Sequence, residues 1–164
     1  QMFTNIQIEH EKVEAVKDIC MSINPDITIH LHQKGYKPGM RLSGYVFLCV
    51  DNIDLRREIA TEHQYNPMIK GMFDFRMGLT DAQHYAANWT DSKSKDKFIA
   101  SMQFTHEEAK DAMPVSACGL ELNVIPTVRT IVSYGIANWM NFTKTKNLKT
   151  IILADIFNFT VDTF

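Results

Sequence analysis

An α+β fold built as one domain on a mixed sheet is the architecture this sequence predicts, and three observations predict it. Short runs with alternating apolar residues recur along the whole chain, as strands half-buried against a core require. Segments with apolar residues at helical spacing lie between them rather than in a separate block. The most complete pattern, Cys118 to Asp155, reads as strand, helix, strand. A helix joining two strands usually makes them parallel, and ligands favour the carboxyl ends of such strands.

Taken in order, Phe3, Ile6 and Ile8 suggest a short opening strand, and Val13, Val16, Ile19, Cys20 and Ile23 fall on one helical face. Asn24-Pro25-Asp26 ends that helix, because the residue before a proline avoids helical angles. Ile27, Ile29 and Leu31 alternate with Thr28, His30 and His32 as in a half-buried strand. A Gly35–Gly39 turn follows, then Leu42 to Val50, apolar on both faces and so expected as a central, doubly covered strand. Leu55 and Ile59 fit a helix with Arg56, Arg57 and Glu58 facing out. Phe73, Phe75, Met77 and Leu79 predict a strand whose alternate residues, Asp74 and Arg76, face solvent. Thr80 or Asp81 then caps a helix to about Trp89.

Asp91 to Lys97 reads as a surface loop or exposed helix start, and Phe98, Ala100, Met102 and Phe104 as another alternating run. Thr105 and Glu108 have the spacing of a capping box. In the final block, Leu120, Leu122 and Val124 alternate, and Pro126 suits a first helical turn. Val128, Ile131, Val132, Gly135, Ile136, Trp139 and Met140 form the helical face, with Asn147 as a left-handed stop. Ile151 to Leu153 and then Phe157, Phe159 and Val161 supply the last strands. The predicted core comprises Val46, Leu48, Val50, Phe75, Met102, Leu122, Val132, Ile136 and Ile152.

Composition narrows function by exclusion. With 164 residues, 45% hydrophobic and 22% charged, the chain suits a globular domain with a real core. A net charge of −2 gives no electrostatic reason to expect nucleic acid, and no apolar run approaches a membrane span. No export-signal pattern is visible, and Cys20, Cys49 and Cys118 are too widely spaced for a disulfide framework. A cytoplasmic setting is therefore expected. Asn88-Trp89-Thr90, Asn141-Phe142-Thr143 and Asn158-Phe159-Thr160 are formal glycosylation sequons, which also arise readily by chance.

His30 and His32 share one side of their expected strand, the placement from which two imidazoles can share a metal ion. No third ligand follows at metal-binding spacing, so no metal is expected. Nucleophile elbows and glycine-rich phosphate loops are absent. The leading expectation is a non-catalytic protein-interaction or assembly domain without a cofactor, acting through a protein partner or self-association.

Two resemblances supply alternatives. Val124, Pro126, Arg129, Gly135 and Ala137 resemble the cofactor-binding half of the GCN5-related acetyltransferase family. The resemblance implies an acyl-CoA-dependent N-acyltransferase with backbone N–H groups on the pyrophosphate of acetyl-CoA, and Arg129, Gly135 and Ala137 as cofactor-binding residues. Ile131 and Val132 occupy the place of that family's tight glycine turn. Tyr36, Pro38, Gly39, Ser43, Gly44 and Val46, with Pro114 and Ser116, resemble the arrestin-like β-sandwich family. That implies an adaptor for membrane-protein cargo and requires Val128 to Met140 to be a strand.

Overall fold

The structure, a computed structural model, describes residues 11–111 and 125–164. The chain divides into two compact units, Gln1–Met40 and Arg41–Phe164. In the first, helix α1 spans Lys12–Ile23 and buries Ala15. Residues 27–31 form no strand: they are irregular and largely exposed, and among the described residues no strand pairs with them. The expected strand at 3–8 lies outside the described residues.

The second unit carries a five-stranded mixed sheet in the order β1-β2-β3-β4-β5. β1 (Gly44–Leu48) runs parallel to β2 (Ile69–Met77), and helix α2 (Ile53–Glu62) connects them. β3 (Asp81–Asn88), β4 (Ile151–Asp155) and β5 (Thr160–Thr163) add successively antiparallel strands. Helices α3 (Ser92–Ala100) and α4 (His106–Asp111) follow β3, and α5 (Ile125–Thr145) precedes β4. The α+β class, the mixed sheet and the final helix-strand pair thus agree with the sequence. The strand expected at 118–124 lies outside the described residues.

The register sorts the side chains into two layers. Tyr45, Phe47, Phe73, Phe75, Ala82, Ala86 and Ile152 point to the face covered by α5, where they pack with Ile131 and Phe142. Leu48, Met72 and Asp74 point the other way, where α3 contributes Phe98 against Trp89 at 5.8 Å between ring centroids. β1 is therefore covered on both faces, as expected, but it lies at the sheet edge rather than in its centre.

Three further expectations are corrected, and one that held two alternatives is decided. Residues 81–88 are a strand, because pairing with both β2 and β4 outweighs the helical preference of Ala82, Ala86 and Ala87. Phe98 and Met102 are buried one turn apart at the end of α3, not alternating on a strand. Asp91 caps that helix through Lys93 N, so the polar run is a helix start. The left-handed residue ending α5 is Lys146 (φ 66°), one before Asn147. The capping box holds: Thr105 N–H donates to Glu108 Oε2 at 2.7 Å, and Glu108 N–H to Thr105 Oγ1 at 3.2 Å.

The helical face of α5 is rotated from the expected one. Thr127, Ile131, Gly135, Asn138 and Phe142 are buried, whereas Val132 and Ile136 are 39% and 37% exposed. The rotation follows from Gly135. A Cβ there would overlap the Phe75 ring and lie 3.1 Å from His84 Nδ1. Only glycine lets the helix backbone come this close to β2 and β3, and Thr127 anchors the same face by donating to the Leu79 carbonyl at 2.7 Å. Of the remaining expected core residues, Leu48, Phe75, Met102 and Ile152 are buried, Val46 and Val50 half-buried, and Leu122 lies outside the described residues.

A Gly135→Ala substitution should destabilise the protein by about 2 kcal/mol in urea unfolding, since overpacking outweighs alanine's helical preference of about 1 kcal/mol. Equal or greater stability of that variant would refute this packing.

Candidate functional site

The sheet encloses an unusual concentration of polar side chains. Asp74, in the middle of β2, is fully buried. Its Oδ1 accepts from Arg56 Nη1 at 2.6 Å and its Oδ2 from Arg76 Nε at 2.6 Å. Arg56, expected to face solvent, is 8% exposed and also donates to the Phe75 carbonyl at 2.7 Å and to the Val50 carbonyl. Arg76 donates to Ser101 O and Ser101 Oγ at 2.7 and 2.8 Å, fastening the end of α3. Its guanidinium lies 4.0 Å from the centre of the Tyr85 ring, a favourable cation–π placement.

The backbone of the same aspartate serves the opposite layer. The Asp74 carbonyl lies 3.1 Å from His84 Nδ1, and His84 Nε2 lies 3.3 Å from Asn138 Nδ2 on α5. A carbonyl can only accept, so Nδ1 carries the proton, and Nε2 accepts from the amide of Asn138. Asn138 completes its bonding with residue 149, donating to the Lys149 carbonyl at 2.8 Å and accepting from its N–H at 3.0 Å. Burial between Phe73 and Phe75 lowers the His84 pKa to about 4, against the opposing pull of Asp74.

This arrangement is built to hold rather than to react. His84 is wholly enclosed, so it cannot meet a substrate. Cys49, just past the end of β1, is solvent-accessible, but partial loss of hydration pushes its thiol up while the Arg56 charge pulls it down. A thiol held protonated is a poor nucleophile. Among the described residues, no group of three or more His, Cys, Asp or Glu side chains is placed to hold a metal ion.

The residues singled out from sequence are dispersed. His30 and His32 are exposed on irregular chain in the first unit; His32 borders a depression of about 510 Å³ with Lys34 and Lys37. Arg129 and Ala137 are exposed on α5, whereas Gly135 is buried against Phe75. The three positions lie on different sides of the helix. The β-sandwich implied by the arrestin resemblance does not form, because Val128 to Met140 is helix. At the sequons, Asn88 Oδ1 accepts from Thr90 N and Oγ1, Asn141 Nδ2 donates to the Asn147 carbonyl and Asn158 Nδ2 to Asp155 Oδ2.

What remains accessible is apolar surface. Val132, Ile136 and Met140 recur every fourth residue along the outer side of α5. At the β4–β5 turn, Phe157 and Phe159 are 68% and 90% exposed, and Phe159 has a left-handed φ of 56°. That conformation is uncommon for a bulky residue and costs on the order of 1 kcal/mol. The Asp155 carboxylate closes the start of this turn by accepting from Asn158 N and Phe157 N, both at 3.0 Å, and the Asn158 backbone and side-chain bonds, with that from Phe157, hold its carboxyl below the usual range.

No protein-family model matches the chain, and no curated protein matches it. Among the described residues no helix is long and apolar enough to cross a membrane.

The neutral imidazole makes a pH prediction. Between pH 6.5 and about 4 the unfolded chain takes up a proton at residue 84 that the folded protein refuses. Stability should therefore fall as pH drops through this window, by about 3 kcal/mol from this residue alone. Urea midpoints across that range should show the loss in the wild type and a shallower dependence in His84→Gln; parallel curves would contradict a neutral, buried His84.

Proposed function

We propose that this chain is a non-catalytic interaction or assembly domain that works through a protein partner or through self-association. The observation that supports this reading is the row of Val132, Ile136 and Met140 on the outer side of α5, 39%, 37% and 45% exposed on a helix whose opposite side is fully packed. Exposed apolar side chains lined up along one helix are the form in which helices meet partners. The aromatic pair Phe157 and Phe159 at the hairpin tip adds the residue type enriched at binding hot spots. The polar residues of the interior point the same way, since Asp74, Arg56, Arg76, His84 and Asn138 bond one another and the backbone rather than a vacant cleft. We assign the domain to the cytoplasm, on the absence of paired cysteine spacing, and to partners other than nucleic acid, on its net charge of −2.

The competing acyl-CoA-dependent reading is separated by titration calorimetry with acetyl-CoA, coupled to crosslinking of the protein captured with its cellular partners. The interaction reading expects no heat from acetyl-CoA and crosslinks concentrated on α5 or the β4–β5 turn. Micromolar acetyl-CoA binding that disappears in a folded Arg129→Ala variant would replace it with the transferase.

A further inference from the structure

We propose that the outer face of α5 docks onto the acidic face of α2 in a second copy of this chain, joining copies head to tail. This names the partner for the assembly reading above and rests on it. The argument is charge complementarity between two faces of the same molecule. From Ile125 to Ala154 the chain carries Arg129, Lys144, Lys146 and Lys149 and not one carboxylate, in a protein whose net charge is −2. Arg129 and Lys144 share the exposed side of α5 with Val132, Ile136 and Met140, so that face is both apolar and basic, whereas Lys146 Nζ lies 6.0 Å from the ring centre of the buried Phe142.

The complementary face lies on the other side of the sheet. α5 covers the layer of Phe73 and Phe75, whereas α2 reaches the opposite layer through the Arg56–Asp74 ion pair. The outer side of α2 presents Asp54, Glu58 and Glu62 along a shallow groove of about 480 Å³ shared with Arg57 and Thr61. Arg57 is held by Asp54 at 2.6 Å, so these two charges offset one another within the groove. α4 lies alongside, its His106 N–H donating to Asp54 Oδ2 at 3.2 Å, and adds Glu107 and Glu108. Just past the end of α2, Tyr65 and Met68 are 86% and 65% exposed.

Both faces therefore set charge beside apolar surface. Lys144 is one helical turn beyond Met140, about 6 Å along the axis, and Tyr65 lies past the end of α2 with Lys95 Nζ 5.9 Å from its ring centre. Arg129 and Lys144 of one copy meet the carboxylates of α2 while Met140 and Ile136 meet Tyr65 and Met68. Because the two faces differ and lie on opposite sides of the sheet, the contact is heterologous: each added copy leaves an unused face of each kind at the ends.

Sedimentation velocity on the full chain, over a wide concentration range at low and high salt, tests this. A series of oligomers that grows with concentration and dissolves in salt is expected. Arg129→Glu/Lys144→Glu and Glu58→Lys/Glu62→Lys should each sediment as monomer alone, and their equimolar mixture should recover the series, since each then offers the other's complement. Circular dichroism confirms that these surface variants fold, and Arg129→Gln/Lys144→Gln provides a milder form that should weaken assembly about tenfold or more. A wild type that stays monomeric at every concentration, a closed dimer indifferent to the reversals, or a mixture no better than its components would overturn the proposal. So would a monomer that binds phosphatidylserine vesicles through α5. A monomer that still crosslinks to another protein through α5 would overturn this inference while leaving the interaction reading intact.

Discussion

Asp74 is the residue on which both layers of the second unit depend. Its carboxylate is fully buried and ties α2 through Arg56 and the end of α3 through Arg76. Its backbone carbonyl begins the chain of bonds through His84 and Asn138 that holds α5 to the other side of the sheet. Two guanidinium groups on one carboxylate leave a net positive charge in the interior, which the carbonyls of Val50, Phe75 and Ser101 help to solvate. Removing one member of such a set costs about 3–5 kcal/mol, because the partners left behind stay buried and charged. What the aspartate contributes is thus geometry: it fixes where α2, α3 and α5 stand on the sheet.

That geometry has a consequence for function. A buried aspartate and histidine on adjacent strands, with Arg76 of β2 and Arg56 of α2 on that aspartate, form a set of groups that could serve catalysis. Here each is occupied by another: His84 has its acceptor and its donor, and the arginines face carboxylate, carbonyls and an aromatic ring. Such full satisfaction removes the cost of burial and, with it, the reactivity. The chemically distinctive surface is outside, where α5 is apolar and cationic and α2 is acidic. The sheet holds these two helices on opposite faces, which is the arrangement a repeating contact requires.

The sequence disclosed the elements whose apolar periodicity was strong and local. β1, β2, α5 and the Thr105–Glu108 box were legible because alternation, helical spacing and a capping pair need no distant partner to be recognised. β3 was read as a helix because its alanines prefer one, and only the ladders with β2 and β4 decide otherwise. The polar spine was hidden for a related reason. Asp74 and Arg76 alternate with phenylalanines just as solvent-facing residues do, and nothing local shows that Arg56, eighteen positions earlier, turns inward to meet them. The side of α5 that faces the sheet was misplaced because Gly135, Asn138 and Thr127 are poor hydrophobic markers yet make its closest approaches. Their displacement of Val132 and Ile136 into solvent is what created the candidate interface.

The central claim is that Asp74 joins the two layers into one cooperative unit. Native-state hydrogen exchange reads this directly, residue by residue. If the claim holds, the slowest amides of α2, of β2 around Asp74 and of α5 around Asn138 will share one opening free energy, equal to that of global unfolding. Exchange of α5 through a separate opening well below the global value, with α2 and β2 still protected, would show that the layers are held independently and contradict the account.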